Sequence, residues 1–142
     1  MAYLRLGAIR QARSGKKSAG LLRGIDYIYN PEKTESKYVS GYNLSLPEDL
    51  TDVSRLTKQV YRQMIDIKEA FGKEDGRQGY HYKLAFPASD HLTPDLCMQI
   101  TKEFIERCLP EYQVAYSVHT NTEHLHSCLL YTSPSPRDAH ES

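Results

Sequence analysis

One segment near the middle of the chain, residues 51–71, constrains the fold more than any other. Apolar side chains recur there at every third or fourth position, along one face of a helix: Val53, Leu56, Val60, Met64, Ile67 and Phe71. Gly72 follows and supplies a C-terminal stop. Such a helix must bury its apolar face against another layer of structure. The neighbouring segments are the candidates for that layer.

Those neighbouring segments alternate in hydrophobicity and predict β-strands, with shorter helices between them. The predicted strands are residues 3–11, 37–44, 79–86, 112–118 and a last short strand at 124–126. The shorter helices run from Ser18 to Asn30-Pro31 and from Thr93-Pro94 to Pro110. This βαβαβαββ order predicts an α+β fold, an antiparallel sheet of about five strands with helices mainly on one face.

Length and composition indicate a single globular domain. The chain has 142 residues, 39% hydrophobic and 25% charged, and no apolar run approaches the roughly 18 residues of a membrane span. Its three cysteines are odd in number and form no C-x-x-C pair, so we expect reduced thiols rather than a disulfide framework. A cytoplasmic location, without a membrane segment, is the resulting expectation.

Positive charge is concentrated near the amino terminus, although the net charge is zero. No acidic residue precedes Asp26, and the candidate phosphate-binding residues lie in this stretch: Arg10, Arg13, Lys16, Lys17 and Arg23. A solvated charged surface is the alternative interpretation.

Three histidines, His119, His124 and His126, lie within eight residues after the strand pattern of 112–118. Alternate strand residues share a face, so His124 and His126 are expected to project together, and position 128 on the same face holds a cysteine. Imidazole is a common ligand for divalent transition metals. Exposed histidines without a metal, or a zinc site that recruits Cys128, are the alternatives; no second half-site of zinc-finger spacing exists.

Three segments together resemble the mobilization relaxases of plasmids, MobA/VirD-like members of the His-hydrophobic-His endonucleases. They are residues 25–34 (IDYIYNPEKT), 39–43 (VSGYN) and 118–126 (VHTNTEHLH). The resemblance implies a ferredoxin-like or RRM-like relaxase core. It also implies strand-specific nicking of single-stranded origin-of-transfer DNA in plasmid mobilization, through a 5′-phosphotyrosyl intermediate. Mg²⁺ or Mn²⁺ is the implied cofactor, and accessory relaxosome proteins are implied partners.

Two tyrosines of this predicted helix are candidates for the nucleophile, and helical geometry distinguishes between them. Tyr29 follows Ile25 by four residues and lies on the apolar stripe, whereas Tyr27 lies roughly 200° from Ile25 and shares a face with Arg23. Tyr27 is therefore the predicted nucleophile and Tyr29 the runner-up. Alignment to the family motif gives the same choice. Packing of both rings in the helix is the alternative.

The resemblance also assigns metal ligands to His119, His126 and position 128, with His124 as an accessory ligand. Two residues depart from the family pattern, Asn121 in place of aspartate and Cys128 in place of histidine. An amide cannot orient an imidazole as a charged carboxylate does, and a thiolate prefers softer ions than Mg²⁺ or Mn²⁺. His81, in a separate strand, is a further accessory candidate.

The end of the chain differs in character from the rest. Residues 128–138 resemble a translated sequencing adapter, and the segment after Tyr131 has two prolines and no periodicity. We therefore expect an amino-terminal, C-terminally truncated relaxase domain over residues 1–127 and a non-native, disordered tail over 128–142. The alternative function, from a different class, is a non-catalytic single-stranded nucleic-acid binding module with a ferredoxin-like sheet.

Overall fold

A computed structural model describes residues 3–10, 12–13 and 15–132 of the chain. Its elements, in chain order, are β1 (Tyr3–Ile9), α1 (Ala19–Ile28), α2 (Pro31–Thr34), β2 (Val39–Tyr42), α3 (Val53–Ala70), β3 (Gly79–Phe86), a 3₁₀ turn (Ala88–Asp90), α4 (Pro94–Cys108), β4 (Val114–His119) and β5 (Leu125–Tyr131). The predicted helices and strands are present in the predicted order. Among these residues, no helix combines the length and apolarity that crossing a membrane requires.

The five strands form one antiparallel sheet in the order β1-β3-β5-β4-β2. The terminal hairpin, β4 and β5, thus lies inside the sheet rather than at its edge. In its register His119 faces His126, and Ser117 faces Cys128. The expected α+β fold with about five antiparallel strands is confirmed.

Helices cover both faces of the sheet. The α1 face packs Ala115, Cys128 and Leu130 against α1 and α3, and the α4 face packs Tyr116, Leu129 and Tyr131 with residues of α4. Neighbouring residues of β5 therefore point to opposite faces, as the period of two in a strand requires. Helices lie mainly on the α1 face, as expected, and α4 is the element on the opposite face.

Side-chain caps define the start of three helices. Asn30, Asp52 and Thr93 each accept a backbone N–H of the first helical turn, at 2.9, 3.2 and 3.2 Å respectively. Ser18, the predicted cap of α1, makes no such bond; its hydroxyl lies 2.5 Å from the Tyr61 hydroxyl on α3 instead. Sequence alone did not predict α2, a single turn begun by Pro31.

A glycine allows α1 to lie close to the centre of the sheet. A Cβ atom at Gly24 would lie 2.8 Å from Cδ1 of Leu130 and 3.2 Å from Cδ1 of Ile9, closer than ordinary packing permits. The helix therefore packs directly over β5. This close approach places the carboxyl end of α1 beside the start of β5, where the histidines lie.

The expected tail begins at residue 128, but residues 128–131 are ordered as part of β5. Cys128, Leu129 and Leu130 are fully buried in β5, and each continues the ladders to β3 and β4. The apolar run at 128–130 supplies the core of the central strand, which is why it folds with the domain. The rest of the expected tail, residues 133–142, lies outside the described residues.

Candidate active site

The two candidate tyrosines of α1 have opposite environments. Tyr27 is 40% exposed, and its hydroxyl has no hydrogen-bond partner among the described residues. Tyr29 is fully buried and donates its hydroxyl to the backbone oxygen of Ser40 at 2.9 Å. Burial raises the pKa of both phenols, and for Tyr29 the rise is large. Only Tyr27 is accessible to a substrate.

Two imidazoles from different strands flank the Tyr27 ring. Its centroid lies 5.3 Å from that of His119 in β4 and 6.1 Å from that of His81 in β3, both in edge-to-face geometry. The site therefore combines α1 with two strands that are separated by β5 in the sheet. His81, an accessory candidate from sequence, thus lies against the Tyr27 ring.

His119 is buried, with 3% of its surface exposed, and joins the end of β4 to the end of α1. Its Nε2 lies 3.2 Å from the backbone oxygen of Ile28, and since a carbonyl only accepts, Nε2 carries the proton. Nδ1 then has a free lone pair, which faces the thiol of Cys128 at 3.5 Å. Burial, aided by the charges of Lys33 and Lys83, lowers the pKa of His119 to about 4, so the ring is neutral at pH 7.

His126 and Cys128 lie on the same sheet face as His119. His126 is half-buried, its Nδ1 lies 3.2 Å from the Thr122 hydroxyl, and burial lowers its pKa. Burial likewise raises the pKa of the Cys128 thiol, to about 12. The three positions assigned by resemblance therefore adjoin one another, two as neutral imidazoles and one as a protonated thiol.

Two other predicted residues lie outside this cluster. His124 is exposed, and its Nδ1 accepts the backbone N–H of Ala88 at 3.2 Å, which directs one side of the ring to the 3₁₀ turn. Asn121 lies exposed in the loop between β4 and β5 and makes no hydrogen bond to a histidine within the described part of the chain. The structure does not bring these two side chains to Tyr27.

The donor set fits a divalent cation only in part. Two neutral imidazoles, His119 and His126, are suitable metal ligands. The buried Nε2 of His81 has no hydrogen-bond partner among the described residues and is a further nitrogen that can bind a metal. The third ligand position carries the Cys128 thiol, which hard ions bind weakly. No group of three or more His, Cys, Asp or Glu side chains in residues 3–10, 12–13 and 15–132 is arranged as a metal site.

The predicted basic residues of the amino-terminal region are exposed, and carboxylates lie beside two of them, Lys16 and Lys17. Lys17 forms an ion pair with Asp75, and both Lys16 and Lys17 line a cavity that also contains Glu69 and Glu74. Nearby carboxylates thus offset part of this positive charge. Arg23 lies one helical turn before Tyr27 on the exposed side of α1, as the helical spacing predicted.

Two lysines that were not predicted from the sequence adjoin this site, Lys33 beside Tyr27 and Lys83 beside Cys128. The Lys33 ammonium lies 5.3 Å from the centre of the Tyr27 ring, and Lys83 occupies the β3 position paired with Cys128. Lys33 could have been predicted from sequence because it belongs to the NPEKT segment that carries the resemblance. Lys83 could not, since its proximity to Cys128 depends on the pairing of β3 with β5.

Comparison with known proteins agrees with the resemblance to relaxases that the three sequence segments indicate. Residues 27–140 match the family model described as "Relaxase: MobA/VirD2-like, nuclease domain". A "Protein rlx" of Staphylococcus aureus is 33% identical over 46% of this chain. "Group II intron-interrupted relaxase LtrB" of Lactococcus lactis is 27% identical over 75% of it. The chain spans 20% and 22% of the length of these two relatives.

A solved structure supports the fold. It is described as "Molecular Basis of Vancomycin Resistance Transfer in Staphylococcus aureus" and superposes with a TM-score of 0.56 at 15% identity, covering 93% of this chain and 70% of its own. At that identity the likeness concerns the fold alone. The family model, which covers most of the chain, carries the assignment and confirms the resemblance seen in the three motifs. The chain belongs to the MobA/VirD2-like relaxases and corresponds to their nuclease domain.

Proposed function

We propose that this domain nicks single-stranded origin-of-transfer DNA through Tyr27, as part of a protein that acts in plasmid mobilization. The observation that carries the proposal is the contrast within α1. Tyr27 is accessible and lies against His119 and His81, whereas the core encloses Tyr29. A nucleophile has to reach its substrate, so the contrast favours Tyr27 over Tyr29.

The reaction exchanges one phosphate ester for another. The Tyr27 oxygen attacks the scissile phosphorus, the bond from phosphorus to the 3′ oxygen breaks, and that oxygen leaves as a free 3′-hydroxyl after taking up a proton. The phenol loses its proton in the same exchange, and the 5′-phosphate remains on the tyrosine. Ester bond energy is thus conserved, so a 3′-hydroxyl can later reverse the reaction.

The surrounding side chains have separate roles in this proposal. A phenol with a pKa near 10 is a weak nucleophile at neutral pH. His81 would accept the phenolic proton in this proposal, because its buried Nε2 has no hydrogen-bond partner in the described residues and burial lowers the pKa of the imidazole, which keeps the ring neutral. His119 fixes the end of α1 through Ile28 and so orients the helical turn that carries Tyr27.

A divalent cation completes the proposed site. His119 and His126 would hold Mg²⁺ or Mn²⁺, with position 128 as the third ligand and His124 and Asn121 as accessory groups that would have to reorient. When bound, such an ion would supply Lewis-acid polarisation of the scissile phosphate. Cys128 weakens this site for hard ions, so we expect slow turnover by this chain.

DNA binding in this proposal combines phosphate contacts with base stacking. Arg23 extends the accessible face of α1 beyond Tyr27, and the exposed Arg10, Arg13, Lys16 and Lys17 can contact further phosphates. Accessory relaxosome proteins are the expected partners for selecting the origin sequence.

Covalent capture tests the proposal. The chain is incubated with Mn²⁺ and a random pool of single-stranded oligonucleotides, and adducts that survive denaturation are isolated and sequenced. We expect a DNA adduct whose yield falls at least about a thousandfold in Tyr27→Phe, since the nucleophile is removed. The matched control, Tyr29→Phe, should retain the adduct. Loss of the adduct in Tyr29→Phe but not in Tyr27→Phe would reverse the assignment.

A second candidate, the non-catalytic single-stranded nucleic-acid binding module, is favoured by one observation. Cys128 replaces an imidazole at the third ligand position, and a thiol with a raised pKa is a poor ligand for Mg²⁺ or Mn²⁺. Binding of oligonucleotides without any adduct, in both the chain and its Cys128→His variant, would support this candidate over the nicking activity.

A further inference from the structure

Lys33 is held above the exposed tyrosine by the end of β4. Its ammonium lies 5.3 Å from the Tyr27 ring centre, within the range of a cation–π contact. Its backbone oxygen accepts the N–H of Thr120 at 2.7 Å, and Thr120 directly follows His119. The α2 turn that carries Lys33 is thereby fixed to the same strand end as the central imidazole.

Lys83 adjoins the same cluster from strand β3. It occupies the β3 position paired with Cys128 of β5 and lies two residues from His81, so that Lys83 and His81 share the α1 face. After burial, its charge is a further cause that lowers the pKa values of His81, His119 and His126. Lys33 and Lys83 therefore flank one cluster from two elements, α2 and β3.

Neither ammonium group forms an ion pair within the described part of the chain. Across the described ranges, no Asp or Glu oxygen lies within 4.0 Å of either ammonium, in contrast to the paired Lys17 and Arg62. Both lysines are half-buried. Unpaired cations beside an accessible phenol attract an anion.

We propose that Lys33 and Lys83 together form a phosphate-binding site for single-stranded DNA beside Tyr27. The ligand is a phosphodiester of the strand that lies across the tyrosine. Lys33 in addition steadies the Tyr27 ring through its cation–π contact. The inference rests on the proposed function for the identity of the ligand, but it concerns binding and can be tested without the nicking reaction.

The test measures the salt dependence of DNA binding in a background that cannot form an adduct. A fluorescent oligothymidine is titrated with the Tyr27→Phe chain and its Lys33→Gln and Lys83→Gln derivatives over a range of salt concentrations, with anisotropy as the readout. Each lost phosphate contact should reduce the slope of log affinity against log salt by about 0.7, the value for single strands. Affinity at low salt should fall about fivefold for each variant.

Two controls separate this site from general charge and from misfolding. Lys102→Gln removes an exposed lysine of α4, on the other face, and should leave the slope unchanged. Lys33→Arg and Lys83→Arg retain the charge and should restore most of the slope, and thermal unfolding checks that all variants fold alike. Slopes equal to that of Lys102→Gln, or no binding of oligothymidine at all, overturn the inference. An adduct in the nicking assay together with unchanged slopes would overturn this inference alone.

Discussion

The two faces of the sheet differ in where they keep their polar atoms. On the α4 face the buried hydroxyls of Thr101 and Ser127 satisfy each other at 2.5 Å, amid apolar and aromatic side chains. On the α1 face the buried Nε2 of His81 and Oγ of Ser117 have no hydrogen-bond partner among the described residues. Unsatisfied buried polar groups cost stability, and proteins retain them mainly at functional sites. The polar atoms of the α4 face are thus satisfied within the fold, whereas the α1 face leaves two of them free for the proposed chemistry.

Equivalent core deletions on the two faces give the largest expected effect. Ile25 of α1 and Ile105 of α4 are both fully buried, so Ile25→Ala and Ile105→Ala should each destabilise the domain by about 2–5 kcal/mol. Their effects on DNA adduct yield should differ, since Ile25 lies two residues before Tyr27 and Ile105 packs on the other face. Chemical denaturation and the adduct assay, below both unfolding transitions, provide the two measurements.

Equal losses of adduct in Ile25→Ala and Ile105→Ala would contradict the proposal that only the α1 face takes part in the reaction. Such a result would mean that overall stability limits the reaction. A loss confined to Ile25→Ala would instead show that the local position of α1 is what the reaction requires.

The two tyrosines of α1 allow a sharper comparison within one helix. Tyr29→Phe removes the hydroxyl that donates to Ser40 and leaves a carbonyl of β2 without this partner, so it should cost about 1–3 kcal/mol. Tyr27→Phe should change the free energy of unfolding by less than about 0.5 kcal/mol, because the ring is half-exposed. Thermal unfolding of both variants measures this; a larger cost for Tyr27→Phe would place its hydroxyl in the structural network.

Much of the fold could be predicted from sequence because periodicity reports burial directly. The stripe of residues 51–71 became α3, and the alternation of 79–86 became β3 within the same bounds. The α2 turn was missed because four residues show no period, and its start depends on the Asn30 cap and Pro31. The boundary expected at residue 128 followed from the adapter-like sequence of 128–138, which carries no information on burial, whereas the apolar run at 128–130 lies buried in β5.

The site residues likewise fall into those that local spacing predicts and those that depend on strand pairing. Local spacing placed Tyr27 outward and Tyr29 inward, and it put His126 and position 128 on one face. Strand pairing decided the rest: His81 and Lys83 reach the site because β3 lies beside β5. The spacing of residues along the chain does not show which strands become neighbours. Lys83 therefore could not be predicted as a site residue without the sheet order.

The smallest expected effect concerns the thiol at the third ligand position. It tests whether the α1 face binds a metal through position 128. In Cys128→His an imidazole would stand beside His119 and His126, and Mn²⁺ affinity should rise by about tenfold, or about 1.4 kcal/mol, since imidazole suits this ion better than a thiol. Calorimetric titration with Mn²⁺ and with Zn²⁺ measures the change, and the preference for Zn²⁺ should fall. Cys128→Ala is the matched control, because it removes the thiol and adds no ligand, and it should bind Mn²⁺ no better than the unaltered chain. Thermal unfolding of each variant shows whether the larger imidazole is accommodated in the buried site. If a folded Cys128→His chain binds Mn²⁺ no more tightly than Cys128→Ala does, then His119, His126 and position 128 do not act as one ligand set.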